Sequence, residues 1–289
     1  MRLGLLLVLL VVVSSCSEQK HEPIATQETD SISTEKVLIE IEKSAIQDIL
    51  DKAKVKGSVL IYDEDADTYY SNNFERARNG FLPASTFKIV NSILALETGV
   101  VWDFDTEIKW DGVVRDMKIW NGDMSFYDAY HKSCLPCYQQ LARQMGYETL
   151  SKKLATFNYG KMQFDESDFD KFWVEGSSRI TQYEQIDFLK RLVHMKLPAS
   201  ERTYGLVRKL MILDQNEDFI LRGKTGWSIR DGFNVGWFVG FVEPREGGRY
   251  YFATNIEPQE AFKMELFAKV RYEITYEVLK EMGVIGVSD

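Results

Sequence analysis

The residues with the clearest chemical potential lie in the segment PASTFKIVNS, residues 83–92, where Ser85 precedes Lys88 by three positions. Positions i and i+3 of a helix share a face, so this spacing predicts that the hydroxyl and the amine lie within hydrogen-bonding distance. Most neighbouring residues are apolar or small, and burial among them lowers the pKa of a lysine from its usual value of about 10.4. A neutral amine beside a hydroxyl indicates an activated serine nucleophile, although so short a motif needs supporting context.

A second motif, formed by Lys224, Thr225 and Gly226, lies in the strand-like stretch DFILRGKTGWS. Lysine supplies positive charge, threonine supplies a hydroxyl, and glycine lets a ligand approach the backbone closely. We expect the motif to begin the short last segment of a strand, whose edge pairs with a substrate amide. The two motifs in this order are much stronger evidence of catalysis than either motif alone.

Fragments between these motifs carry further polar groups. Ser133 precedes a helix that begins with proline, so its hydroxyl is either a proton shuttle facing a cleft or the N-cap of that helix. Tyr159 and Gly160 are predicted to form a turn in FNYGK. Trp173, in DKFWVEGSSRI, carries an indole N–H that needs an acceptor when it is buried.

The order of predicted elements indicates how these groups are held. Apolar spacing predicts an amphipathic helix over 36–53, followed by a hairpin of GSVLIYD and TYYSNN. A mainly helical stretch covers about 78–214, then strand character returns in DFILRGKTGWS, VGWFVGFVEP and RYYFATNIEP, and 262–282 is predicted as a long helix. We therefore expect an α+β fold in which one antiparallel sheet, built from both chain ends, is flanked by helices and holds an inserted helical subdomain. We expect the functional site to lie in a cleft between the sheet and the helices.

Bulk composition narrows the function classes. The chain has 289 residues, 45% of them hydrophobic, and a net charge of -9, which indicates a globular protein without a basic groove for nucleic acid. His21, His131 and His194 are scattered, so we predict no metal site and interpret the last two as surface or structural residues.

The first sixteen residues, MRLGLLLVLLVVVSSC, have a positive start, an apolar run too short to span a membrane, and small residues before Cys16. Residues 13–16 resemble a bacterial lipobox, which implies cleavage before Cys16 and its lipidation; an ordinary signal with a chance cysteine is the alternative. We therefore predict a signal peptide over 1–15, a lipid-anchored polar tether over 16–36, and a catalytic domain over 37–289. The expected location is the periplasmic side of the inner or outer membrane.

Cys134 and Cys137 form the motif SCLPC. A C-x-x-C motif is typical of thioredoxin-like redox pairs, but those follow a strand in a small βαβ domain, whereas this one lies between helical segments. Two small buried cysteines are the preferred interpretation, and the sequence leaves open whether they are bonded to each other.

In this order the motifs resemble those of the class D serine β-lactamases, the oxacillinase family, over about residues 57–282. Ser85 and Lys88 match the Ser-x-x-Lys of that family, Ser133 matches the first position of its Ser-x-Val, and KTG, YG and FWVEG match further motifs. IKWDG, YQQLAR and LETGV add similarity away from these motifs. The resemblance implies that β-lactams, penicillins among them, are hydrolysed through an acyl-enzyme on Ser85.

The resemblance also implies that CO2 carboxylates Lys88, so that no other cofactor is needed. The carbamate acts as general base, and the indole N–H of Trp173 holds it. The backbone N–H groups of Ser85 and Trp227 form the oxyanion hole. Ser133 relays a proton to the lactam nitrogen, and Lys224 shapes the electrostatic field.

The family pattern further implies which residues contact the substrate. Thr225 and Arg271 bind its carboxylate, Gly226 completes the strand edge, and Met117 and Val174 line the pocket. Dimerisation occurs in some relatives, so the family pattern leaves open whether this chain forms a homodimer.

Two positions depart from the family pattern. Leu135 stands where valine is usual, and its added methylene near the carbamate would crowd the deacylating water, while Lys161 replaces an asparagine. The nearest alternative function is a penicillin-binding protein or a β-lactam sensor that is acylated without turnover. Sensors of that kind carry transmembrane helices and an output domain, and we expect neither here. A lipoprotein that only binds or scaffolds is disfavoured, because every catalytic hydroxyl, amine and guanidinium is retained.

Overall fold

The structure is a computed structural model that describes residues 38–230 and 232–286. The predicted signal peptide, the lipidation site Cys16 and the predicted tether lie outside these residues. No helix within the described ranges combines the length and apolar character needed to cross a membrane.

Most strands belong to one mixed sheet. In chain order the strands are β1 (Ile39–Glu42), β2 (Val55–Asp63), β3 (Thr68–Ser71), β4 (Glu107–Ile108), β5 (Met124–Ser125), β6 (Ile212–Gln215), β7 (Phe219–Arg230), β8 (Phe233–Pro244) and β9 (Tyr250–Pro258). In the part of the chain that is described, seven strands form the sheet β1-β3-β2-β9-β8-β7-β6, and β4 pairs with β5 separately. Strands from both ends of the described chain thus meet where β2 pairs with β9, as the sequence predicts.

The helices are α1 (Ser44–Lys52), α2 (Phe74–Ala77), α3 (Lys88–Glu97), α4 (Phe126–His131), α5 (Leu135–Met145), α6 (Tyr147–Ala155), α7 (Gln182–Val193), α8 (Glu201–Leu210) and α9 (Phe267–Glu281). Local sequence fixes several of their starts. Thr181 and Glu184 form a reciprocal capping box at α7, and the Ser200 hydroxyl caps α8, so each helix begins where a side chain satisfies its free N–H groups.

The N-terminal end differs from the prediction in two ways. The helix predicted over 36–53 begins only at Ser44, because residues Ile39–Glu42 form a strand. That strand pairs in parallel with β3, whereas the other paired strands of the main sheet are antiparallel. Ile39 and Ile41 alternate with glutamates, a period of two that indicates a strand. Pairing with the free edge of β3 satisfies the backbone groups and overrides the longer helical pattern.

The sheet separates two hydrophobic cores. Along β2, Leu60 and Tyr62 belong to one core, while Val59 and Ile61 belong to the other, as expected when successive side chains of a strand point to opposite faces. The first core packs against α3, α5 and α7, and the second packs against α1 and α9. The Ser85 turn leads directly into α3 and is therefore held on the side of the first core.

Candidate active site

Ser85 lies in a short 3-10 turn, Ala84–Phe87, immediately before α3. Ala84 adopts a left-handed backbone conformation with a φ of 51°, which is unfavourable for a residue with a side chain and recurs where a fold presents a functional group. Lys88 is the first residue of α3, and its Nζ lies 2.9 Å from Ser85 Oγ. The sequence prediction that these two side chains meet is confirmed.

Lys88 is completely buried. Burial, together with the charge of Lys224, lowers the pKa of Lys88 well below its ordinary value, because a low-dielectric interior disfavours the ammonium form. The Nζ atom also lies 5.1 Å from the centroid of the Tyr138 ring, on α5. Sequence reasoning did not assign a role to Tyr138, although it begins the YQQLAR stretch. The arrangement favours a neutral amine in contact with the serine hydroxyl.

Trp173 packs beside the turn that holds Ser85. Its ring stacks on Phe87 with centroids 5.2 Å apart. Within the described ranges its buried Nε1 has no hydrogen-bond partner, whereas the buried Nε1 of Trp237 donates to the carbonyl of Leu82 at 2.9 Å. A buried donor without an acceptor is costly. The Trp173 N–H is thus available to an acceptor that the described residues do not supply.

Lys224, Thr225 and Gly226 lie inside β7, which continues to Arg230. The motif thus begins the last segment of a strand, as the sequence predicts. β6 pairs with β7 only at residues 220–222. The edge of β7 that faces away from β8 is therefore not paired with β6 at Lys224, Thr225 and Gly226. A Cβ on Gly226 would lie 3.2 Å from the carbonyl oxygen of Pro83. Glycine at this position lets β7 closely approach the turn that holds Ser85.

Lys224 is a buried cation next to the same turn. Burial, and secondarily the charge of Arg271, lowers the pKa of Lys224 to about 7. Its Nζ donates to the Thr225 carbonyl at 3.3 Å and lies 5.5 Å from the centroid of the Tyr130 ring. Near neutral pH this side chain therefore exchanges readily between charged and neutral forms.

Arg271 approaches β7 from α9. Its guanidinium donates to the carbonyls of Phe267, Ala268 and Gly226, at 3.2 Å and 3.1 Å for the first two. Burial lowers the pKa of Arg271 to about 10. A Cβ on Gly236 would lie 2.7 Å from Arg271 Cδ, so the glycine provides the space in which the arginine lies. The result is a fixed cation beside the KTG segment.

A cavity of about 430 Å³ connects these elements. The predicted residues that line it are Ser85, Met117, Ser133, Leu135, Val174, Thr225, Gly226, Trp227 and Arg271. The lining also includes Trp120, Lys132, Ile229 and Ala268, which sequence reasoning missed. Ile229 follows Trp227 by two positions in β7, so a period of two would have found it. The buried Lys88, Trp173 and Lys224 lie outside the lining, and Lys88 reaches it through Ser85.

Ser133 is not a helix cap. Cys134 is the N-cap of α5, and its Sγ accepts a hydrogen bond from the N–H of Cys137 at 3.2 Å. Ser133 lines the cavity and has a φ of 51°. Cys134 and Cys137 are joined by a disulfide and are almost fully buried, so the question that the sequence left open is answered in favour of a bonded pair.

The YGK segment lies next to the site. Tyr159 is buried, and its hydroxyl contacts Gln185 Oε1 at 3.1 Å and Thr86 Oγ1 at 3.3 Å. Lys161 exchanges two main-chain hydrogen bonds with Arg179, of 2.8 Å and 2.9 Å, and its side chain is exposed. The backbone of this segment thus fixes its position, while the unusual lysine side chain points into solvent.

Neither described histidine lies in a metal cluster. His131 packs on Tyr127 with ring centroids 4.2 Å apart, and His194 contacts Glu64 at 2.5 Å. The ranges 38–230 and 232–286 contain no group of three or more His, Cys, Asp or Glu side chains placed to hold a metal ion.

Comparison with known proteins identifies the family. The family model of the penicillin binding protein transpeptidase domain matches residues 53–280. The β-lactamase OXA-48 of Klebsiella pneumoniae is 41% identical over 232 residues, which cover 80% of this chain and 85% of that protein. A crystal structure of the class D β-lactamase YbXI from Nostoc superposes with a TM-score of 0.78 at 40% identity, covering 82% of this chain and 98% of that one.

A more distant relative is the regulatory protein BlaR1 of Bacillus licheniformis. It is 28% identical over 81% of this chain, a match that spans 38% of the regulatory protein. OXA-48 and the Nostoc protein match this chain over most of their own length and are β-lactamases, and the fold agrees with that of the Nostoc structure. The chain therefore belongs to the class D serine β-lactamases.

Proposed function

We propose that this protein hydrolyses β-lactam antibiotics through an acyl-enzyme on Ser85, with Lys88 carboxylated by CO2 as the general base. The observation that carries the proposal is the fully buried Lys88 amine, 2.9 Å from Ser85 Oγ, together with the buried, unpartnered indole N–H of Trp173 beside the same turn.

The residues present fit a carbamate on Lys88. Only a neutral amine adds CO2, and the environment lowers the pKa of Lys88. A carbamate adds two acceptor oxygens, and the Trp173 N–H is a buried donor that lacks an acceptor among the described residues. When present, the carbamate supplies an anionic base beside Ser85. Trp173 would hold one of its oxygens.

The remaining catalytic steps are carried out by groups of the chain itself. Ser85 Oγ attacks the lactam carbonyl after giving up its proton. The backbone N–H groups of Ser85 and Trp227 stabilise the oxyanion. Ser133, which lines the same cavity, passes a proton to the nitrogen as the ring opens.

Substrate orientation depends on the cationic side of the cavity. Thr225 and Arg271 bind the substrate carboxylate, because a hydroxyl and a fixed guanidinium together recognise that group. Lys224 adds positive potential nearby. Met117 and Val174 form apolar lining, and Leu135 lies where it can affect access of the hydrolytic water.

Intact-protein mass spectrometry during turnover of a penicillin tests this function. The penicilloyl adduct should form and then decay over many turnovers. Ser85→Ala should form no adduct, whereas Ser151→Ala on α6 should behave like the parent. A stoichiometric adduct that persists would instead assign the protein to the penicillin-binding or sensor class.

We also propose that Cys16 is lipidated and anchors the protein on the periplasmic side of a bacterial membrane. The lipobox-like residues 13–16 and the polar residues that follow support this localisation. Metabolic labelling with a fatty acid should mark the parent chain and not Cys16→Ala. Equal labelling of both would refute the anchor.

A further inference from the structure

The Cys134–Cys137 disulfide spans the first turn of α5 at the wall of the active-site cavity. Ser133 precedes the first cysteine, and Leu135 lies between the two. Both Ser133 and Leu135 line the cavity. The cross-link is therefore directly attached, through the chain, to two residues of the proposed site.

Ser133 has a backbone conformation that a serine does not adopt freely. Its φ of 51° lies in the left-handed region, where a Cβ clashes with the backbone, so surrounding structure must hold it there. Its N–H donates to the Tyr130 carbonyl at 3.1 Å, and the N–H of Cys134 donates to the Ala129 carbonyl at 2.9 Å. The first bond holds the peptide group on the N-terminal side of Ser133, and the second holds the peptide group on its C-terminal side. The disulfide adds a covalent hold on Cys134, the next residue.

The size and burial of the disulfide argue against two other roles. A cross-link that closes so short a loop removes little entropy from the unfolded chain, so it contributes less to global stability than a long-range one. Reactive thiols of exchange proteins lie in exposed, electropositive surroundings, whereas Cys134 is fully buried and Cys137 is 7% exposed. With these two roles disfavoured, the disulfide is best explained by a local effect on the adjoining residues.

We propose that Cys134 and Cys137 are positioning residues, whose disulfide holds Ser133 in the conformation that delivers a proton to the nitrogen of the opening lactam ring. This inference rests on the proposed function. Without the cross-link, main-chain hydrogen bonds alone hold the peptide groups on either side of Ser133, and its strained backbone samples other conformations. Acylation then slows, because proton transfer depends on the position of the hydroxyl.

The test uses the full-length chain carrying Cys16→Ser, in which Cys134 and Cys137 are the remaining cysteines. Cys134→Ser/Cys137→Ser removes the covalent link, and a serine at position 134 still caps α5. Single-turnover acylation by a penicillin should slow by about tenfold or more in this variant, as expected for a misplaced catalytic group. Should the variant fail to fold, the folded parent is treated with dithiothreitol, which supplies two electrons and two protons, breaks the S–S bond and becomes a cyclic disulfide.

Ser133→Ala separates positioning from general structural damage. In that background, removal of the disulfide should cause no further slowing, because the group being positioned is already absent. Slowing by the same factor with and without the Ser133 hydroxyl would overturn the proposal, and so would an unchanged acylation rate in the cysteine variant or in the fully reduced parent.

The parent chain distinguishes failure of this inference from failure of the proposed function. If the oxidised Cys16→Ser chain forms no penicilloyl adduct at Ser85, the proposed function is wrong. If the adduct forms equally fast with and without the disulfide, only the positioning role is wrong.

Discussion

The main-chain N–H of Ala84 donates to the carbonyl oxygen of Trp173 at 2.7 Å. This bond joins the turn that presents Ser85 to the segment that carries the unpartnered indole. The stacked rings of Phe87 and Trp173 add a second contact between the two segments. These contacts therefore hold Ser85, Lys88 and the Trp173 indole in one arrangement before any substrate is bound.

Replacing Trp173 by phenylalanine should selectively reduce the fraction of Lys88 that is carboxylated. The variant keeps an aromatic ring against Phe87 and loses only the N–H, so deacylation should slow by about tenfold to a hundredfold, the value of a hydrogen bond to a charged group. High bicarbonate should restore part of the activity. Steady-state turnover as a function of bicarbonate concentration measures both effects.

Trp237→Phe is the matched control for that prediction. It also removes a buried indole N–H, but one that already bonds to the Leu82 carbonyl. It should lower the free energy of unfolding by about 1 to 3 kcal/mol without changing the bicarbonate dependence. The same bicarbonate dependence in Trp237→Phe and Trp173→Phe would argue against a specific role for Trp173.

The lowered pKa of Lys224 predicts that the free energy of unfolding depends on pH. Its pKa is about 7 in the folded chain and about 10.4 when unfolded, so between these values the unfolded chain binds a proton that the folded chain lacks. Stability therefore rises with pH, by about 2 kcal/mol between pH 7 and pH 9 for this one group. Urea unfolding at both pH values should show a smaller rise in Lys224→Met. An equal rise in parent and variant would contradict the assigned shift.

Arg271→Ala should mainly affect substrate binding. Loss of a charged donor to the substrate carboxylate should raise KM by about tenfold to a hundredfold, with a smaller effect on kcat. Lys269→Ala is a suitable control, because Lys269 is an exposed cation on the same helix, 2.5 Å from Glu273. A comparable rise in KM in both variants would show that overall charge, and not Arg271, binds the substrate.

Leu135→Val tests the departure from the family pattern. If the extra methylene crowds the hydrolytic water at a cost of about 1 kcal/mol, its removal should speed deacylation by about fivefold. Leu141→Val removes a methylene from the buried side of the same helix and should lower stability without speeding deacylation. Single-turnover decay of the acyl-enzyme provides the measurement, and an unchanged rate in Leu135→Val would show that Leu135 is accommodated.

The sequence predicted those parts of the structure in which local spacing determines geometry. Ser85 and Lys88 meet because three positions separate them across a turn that leads into a helix. By contrast, β1 lies in a stretch predicted as helix, because its period-two pattern covers only four residues and its pairing partner β3 lies almost thirty residues away in sequence. The last two residues of β7, Ile229 and Arg230, lie beyond the predicted stretch DFILRGKTGWS and follow from pairing with β8. The left-handed backbone of Ser133 adjoins a disulfide that the sequence left open.

Withdrawal of CO2 tests the central claim most directly. Hydrolysis of a chromogenic β-lactam by the purified full-length protein should continue over many turnovers, fall when CO2 is removed, and recover on addition of bicarbonate, because the base is a carbamate on Lys88. Turnover that is indifferent to CO2 would contradict the carboxylated lysine. A single stoichiometric burst, with or without bicarbonate, would contradict hydrolysis itself.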